Sequence, residues 1–227
     1  MEIQIIKKKD LSTSRWSGGT TTQLAIFPTD ANYSDRHFLW RLSSAVVEIE
    51  SSDFTALEGF NRVIMSLNGD LKLKHKGHHE ILLTPYVADH FRGIWETSSV
   101  GKVTDFNLMV RDGMYADLIH LQVQDVLNYE FGRSAKTKAP YLNYTHTDVM
   151  EYKSRVDAFY STEDNYCVTV HDQHYEVNAG DLILLTYSNS SINDKDRHLN
   201  IKIKDNQKKS KSANLIHAII GYDSFDE

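Results

Sequence analysis

Three apolar stretches carry arginines, amides and a carboxylate at alternate positions, where a strand with a purely structural duty has no need of them. In FLWRLSSAVV, a period of two puts Arg41, Ser43, Ala45 and Val47 on one face and Trp40, Leu42, Ser44 and Val46 on the other. In NRVIMSL, Arg62 shares its face with Ile64 and Ser66; in TDFNLMVRD, the residues Asp105, Asn107, Met109 and Arg111 oppose Phe106, Leu108 and Val110. Each strand can bury one side in a core and turn the other to a polar cavity. A single arginine or aspartate on a strand face is ordinarily solvated surface, but several together on apolar strands point to a site. The chemistry open to them is anion binding. The planar fork of arginine grips a carboxylate through two parallel charge-assisted hydrogen bonds, Asn107 and Ser43 can satisfy remaining polar atoms, and Asp105 can orient an arginine. The rival chemistry is enzymatic, with Asp105 as the acid or base of an isomerase or hydrolase acting beside an arginine-bound substrate.

The elements that must position these residues read as strands. Short runs such as EIQII, TTQLAIF, RVIMSL, DLKLKH, YCVTV, DLILLTY and NLIHAIIGY are separated by turns rich in Gly, Asn, Asp or Lys, the pattern of an antiparallel all-β barrel or sandwich. Helix is minor, with one short turn within residues 116–128 as the best candidate, a segment that also fits a strand. Gly18 and Gly19 of SRWSGGTTTQLAIF lack the Lys and the closing Ser or Thr of a phosphate loop, so they read as a bend feeding a strand, with Trp16 covering apolar surface beside it. Thr20 and Thr22 then share a strand face and offer hydroxyls to the cavity. A weak internal repeat sets LKLKHKGHHEI on CVTVHDQHYEV, matching His75 to His171, His78 to His174 and Glu80 to Glu176, with Lys76–Gly77 and Asp172–Gln173 as hairpin tips. It suggests two stacked β units divided near residue 112, at 1–112 and 113–227.

Composition excludes several classes. A formal charge of −6 gives no basic field for nucleic acid or anionic lipid. The lysine-rich KDNQKKSKS, Lys204 to Ser212, has no interleaved aromatics and reads as a solvated hairpin tip. One cysteine, Cys167, excludes an internal disulfide and reads as a small core residue in a reducing compartment. MEIQIIKKKD is too short in apolar residues for a signal peptide and no run of 18 apolar residues occurs, so a soluble, cytoplasmic protein without membrane partners is expected. His75, His78, His79 and Glu80 crowd one turn, but a hairpin tip projects into water, so they read as exposed histidines with no metal and no cofactor expected.

The series RWSGGTTTQLA, WRLSSA, FTALEGFNRVIMSLNG and DFNLMVRDG, in that order over residues 12–112, resembles the HutD/Ves family. The resemblance implies a bicupin, two antiparallel β-barrels of the double-stranded β-helix type packed as one unit. It also implies binding of a small carboxylated metabolite of the N-formylglutamate, urocanate or formate class by a governor of histidine utilisation. A role without turnover is preferred to an enzymatic one, and a homodimer is open. By the same resemblance the ligand contacts fall on Arg62 of the F-x-x-x-x-G-F-x-R motif and on Arg41, Ser43, Asp105, Asn107 and Arg111. Thr20 stands where the family commonly has a third glycine.

Overall fold

A computed structural model describes residues 1–130, 139, 141–191, 198–203 and 212–223. The described residues form nineteen strands: β1 Glu2–Ile6, β2 Ser12–Trp16, β3 Gly19–Phe27, β4 Trp40–Val47, β5 Ser51–Asp53, β6 Phe60–Asn68, β7 Leu71–His75, β8 Glu80–Leu83, β9 Ala88–Arg92, β10 Thr97–Val100, β11 Thr104–Arg111, β12 Tyr115–Gln124, β13 Val126–Glu130, β14 Ser154–Tyr160, β15 Tyr166–Val170, β16 Gln173–Val177, β17 Leu182–Ser188, β18 His198–Ile203 and β19 Ser212–Tyr222. The helical turn considered within 116–128 is strand throughout β12 and β13, and the only helical pieces among the described residues are three 3-10 turns. None is long and apolar enough to cross a membrane. All but Ser212 of the lysine-rich stretch 204–212 lies outside the described residues.

The chain forms two compact units. One comprises residues 11–118 and 138–145, the other 1–10, 119–137 and 146–227. This differs from a division at 112 because β1 pairs antiparallel with β17, Ile3 opposite Leu185, which ties the first ten residues to the later unit. Pairing partners so distant in sequence leave no local trace.

The motif-bearing unit has a six-stranded sheet, β2-β3-β4-β11-β6-β9, and a four-stranded sheet, β5-β10-β7-β8. Val47, Ile64 and Phe91 of the larger sheet pack with Leu71, Leu73 and Leu83 of the smaller in one buried cluster, so the core lies between two sheets. The other unit repeats the plan with β1-β17-β14-β19-β12 and β13-β18-β15-β16 around Val168, Val177, Ile183, Leu185 and Ile201. Each sheet ends on edge strands. The all-β expectation therefore holds, whereas the sheets do not close into barrels; each pair buries its apolar faces as a sandwich.

The two hairpins of the suspected repeat differ in their turns. β15 and β16 are joined tightly at His171 and Asp172, both at positive φ, as a two-residue hairpin turn requires. β7 and β8 pair last at Lys74 and Glu80, and four residues, 76–79, lie between the strands. The turn therefore sits at His171–Asp172 rather than at Asp172–Gln173, and His75 has no structural counterpart in His171. The expectation of exposed histidines fails for His75: it continues the inward alternation of Leu71 and Leu73 and is 1% exposed.

Candidate functional site

Strand register brings the polar residues of distant segments into rows across the six-stranded sheet. Arg41 on β4 lies opposite Met109 on β11, and Met109 opposite Arg62 on β6, so the two arginines flank one methionine. In the next row Ser43 lies opposite Asn107, and in the one beyond Ala45 opposite Asp105, which faces Ser66. Arg41, Ser43, Arg62, Asp105 and Asn107 are all buried. Together with Tyr33, Phe54 and Trp16 they line one cavity of about 310 Å³.

The arginines are held differently. Arg41 donates through Nε to Gln23 Oε1 at 2.9 Å and through Nη1 to Ser43 Oγ at 3.1 Å, with its guanidinium 4.3 Å from the Tyr33 ring centre. Arg62 instead sits between aromatic faces, 4.7 Å from the Phe54 ring centre and 5.0 Å from that of Phe91. Aromatic faces attract a guanidinium through their quadrupole yet accept none of its hydrogen bonds. Arg62 Nε, Asp105 Oδ1 and Asn107 Oδ1 are buried with no hydrogen-bond partner among the described residues. An unmade bond on a buried polar atom costs about 1–3 kcal/mol, so three around one cavity are a substantial destabilisation unless something fills it.

Burial governs the electrostatics. It lowers the Arg62 pKa to about 10, helped by the charges of Arg41 and Arg36 and opposed by Tyr33 and Asp105. It raises Asp105 to about 7, against the pull of Arg62 and a backbone hydrogen bond at Ala45. Burial likewise lowers Arg41. The basic lining of Arg41 and Arg62 is unsuited to a cation and suited to an anion.

Two residues expected at the site are elsewhere. Arg111 donates through Nε to Phe38 O at 3.1 Å and through Nη2 to Arg36 O at 2.5 Å, which makes it an anchor for the segment behind Tyr33 and not a cavity residue. Thr20 pairs with Val46, on the face opposite Ala45 and Val47; Thr21, opposite Ala45, is the threonine that lines the cavity. Gly19 fixes that parity by lying opposite Val47 at φ +153, where a Cβ would stand 1.9 Å from Val46 O. A bulge between Gln23 and Ala25 then re-aims the strand. Gln23 and Tyr33 were not evident in the sequence: one follows from register, and the other sits in a connection with no periodicity. Phe54 opens the motif FTALEGFNR that contains Arg62, and its place in that motif was a usable signal.

A HutD family model matches residues 8–198. This chain belongs to the HutD family. No curated protein matches its sequence. Among solved structures, this HutD-family chain is similar to the conserved protein of unknown function PA5104 from Pseudomonas aeruginosa, at 20% identity and TM-score 0.71, covering 97% of this chain and 100% of that one. It is also similar to HutD from Pseudomonas fluorescens, solved in a formate condition, at 19% identity and TM-score 0.61 over 97% and 98% of the two chains. A mutant of oxalate decarboxylase from Bacillus subtilis, at 6% identity and TM-score 0.58 over 98% and 78%, shares the cupin-like fold. At these identities the solved structures bear on the fold alone.

Proposed function

We propose that this HutD-family protein binds a small carboxylated metabolite in the Arg41–Arg62 cavity and acts as a regulator of histidine utilisation without turning its ligand over. The observation that carries the reading is the trio of unpaired buried atoms, Arg62 Nε, Asp105 Oδ1 and Asn107 Oδ1, around one cavity beside two arginines. A ligand carboxylate receives the Arg62 donor in a partly desolvated, charge-assisted contact. Asn107 Oδ1 needs a donor, which a carboxylate alone does not supply. The ligand is therefore expected to carry a hydrogen-bond donor, an N–H or O–H, as well as an acid group. Urocanate and N-formylglutamate have both, whereas the formate ion has no such donor. The volume agrees: about 310 Å³ is roughly ten times the ~30 Å³ share of one water, more than formate fills.

Calorimetric titration with N-formylglutamate, urocanate and formate at fixed salt tests this reading. Saturable binding in which formate is the weakest supports it, and no binding by any of the three removes it. Asp105 favours a second reading, because a buried carboxyl raised to about 7 can hold or release a proton near neutrality. Consumption of the titrated ligand would establish that enzymatic alternative over a purely binding role.

A further inference from the structure

We propose that His75, His79 and Asp89 form a binding site for a divalent transition metal of the zinc class, separate from the arginine-lined cavity. His75 closes the inward row of β7, and Asp89 is brought into the same interior by β9, where it lies opposite Ile64. His79, two residues past Gly77, folds back from the four-residue connection between β7 and β8. His75 Nε2 lies 2.9 Å from Asp89 Oδ2, and His79 Nε2 lies 3.1 Å from both Asp89 oxygens. One donor atom from each of the three residues falls within 4.8 Å of the others. Tetrahedral zinc with bonds near 2.0–2.1 Å sets its ligand atoms about 3.3 Å apart, so small side-chain shifts suffice to enclose an ion.

The exposures suit an open site. The His75 and Asp89 side chains are 0% and 7% exposed, and that of His79 is 31% exposed. Solvent therefore reaches the cluster from the His79 side, leaving a fourth position for water, and two imidazoles with one carboxylate are a donor set that zinc accepts.

The surroundings accommodate the proton rearrangement that binding requires. His75 Nδ1 is 2.8 Å from Thr97 Oγ1, and that hydroxyl also lies 3.2 Å from Trp95 O. With Nε2 protonated toward Asp89, Thr97 gives its hydrogen to Nδ1. With a metal on Nε2, the imidazole proton moves to Nδ1 and is donated to Thr97 Oγ1, whose own hydrogen turns to Trp95 O. No buried donor is stranded in either state, and Thr97 orients the ring as outer partners of metal-bound histidines do. None of the three residues lines the arginine cavity.

The test uses the full chain stripped with EDTA, titrated with Zn²⁺ by calorimetry and with Co²⁺ by visible absorption. One zinc per chain is expected, with the strong visible bands of four-coordinate cobalt. His79→Gln should weaken zinc by at least about tenfold, and Thr97→Val by about ten- to hundredfold, each with an unchanged circular dichroism spectrum. His146→Gln, at a separate partly exposed contact with Glu151 and Asp223, should leave binding unaltered, as should Arg62→Ala. Wild-type zinc affinity in both His79→Gln and Thr97→Val, or no zinc uptake by the wild type, would overturn the site.

Discussion

Arg62 and Asp105 face one cavity from adjacent antiparallel strands, and each limits the shift that burial imposes on the other. The carboxylate raises the arginine's pKa and the arginine lowers that of the carboxyl, yet burial outweighs both effects. A pair arranged in this way leaves the carboxyl near the middle of the physiological range.

Asp105 titrates near 3.8 when unfolded and near 7 when folded, so between those values only the folded chain holds the proton and stability falls as pH rises. Above about 7 the contribution is flat. Between pH 5 and 8 this one group should account for about 2–3 kcal/mol of lost stability. Urea unfolding at the two pH values should show that loss in the wild type and a smaller one in Asp105→Asn. An identical pH dependence in both proteins would contradict the assignment.

Asp157 is the opposite case. Burial alone would raise its pKa, but the Arg155 charge and a His217 hydrogen bond overcome that and hold the carboxyl far below the usual range. Arg155 donates to both Asp157 oxygens at 2.8 Å, His217 Nε2 lies 2.6 Å from Oδ1, and Tyr187 donates to Oδ2. Here the stabilisation is present above the unfolded value near 3.8 and is lost as pH falls through the folded pKa. Asp157→Ala strands the Arg155 charge and should cost about 3–5 kcal/mol. A loss below 1 kcal/mol in urea unfolding would show the network to be dispensable.

Arg111→Ala should act on stability more than on ligand affinity. Its two bonds to the carbonyls of Phe38 and Arg36 anchor the segment behind Tyr33, and bonds from a charged donor are worth about 1.5–3 kcal/mol each. Thermal unfolding should fall, while affinity should drop by less than in Arg62→Ala. The reverse ordering would return Arg111 to the site.

Period-two alternation made most of the fold and site legible. It picked out many of the strands, though not β2, β5, β9, β10 or β14, and put Arg41, Ser43, Arg62, Asp105 and Asn107 on faces that the structure joins. It failed where register decides: Thr20 and Thr21 are equally polar, and only the opposition of Gly19 to Val47 shows which faces inward. The hairpin tip does lie at Lys76–Gly77, but LKLKH continues through His75 in line with Leu71 and Leu73, so that histidine belongs to the strand interior and not to the exposed turn. The Asp157 cluster was hidden for a different reason. Arg155 and Asp157 are two positions apart on β14, but His217 reaches them from β19, where it lies opposite Phe159.

Calorimetric titration of wild type and Arg62→Ala with N-formylglutamate at one salt concentration tests most directly whether Arg62 receives the ligand's carboxylate. A lost charge-assisted contact of about 1.5–3 kcal/mol predicts affinity weaker by roughly ten- to hundredfold in a protein whose circular dichroism is unchanged. Equal affinity in a folded Arg62→Ala would contradict it.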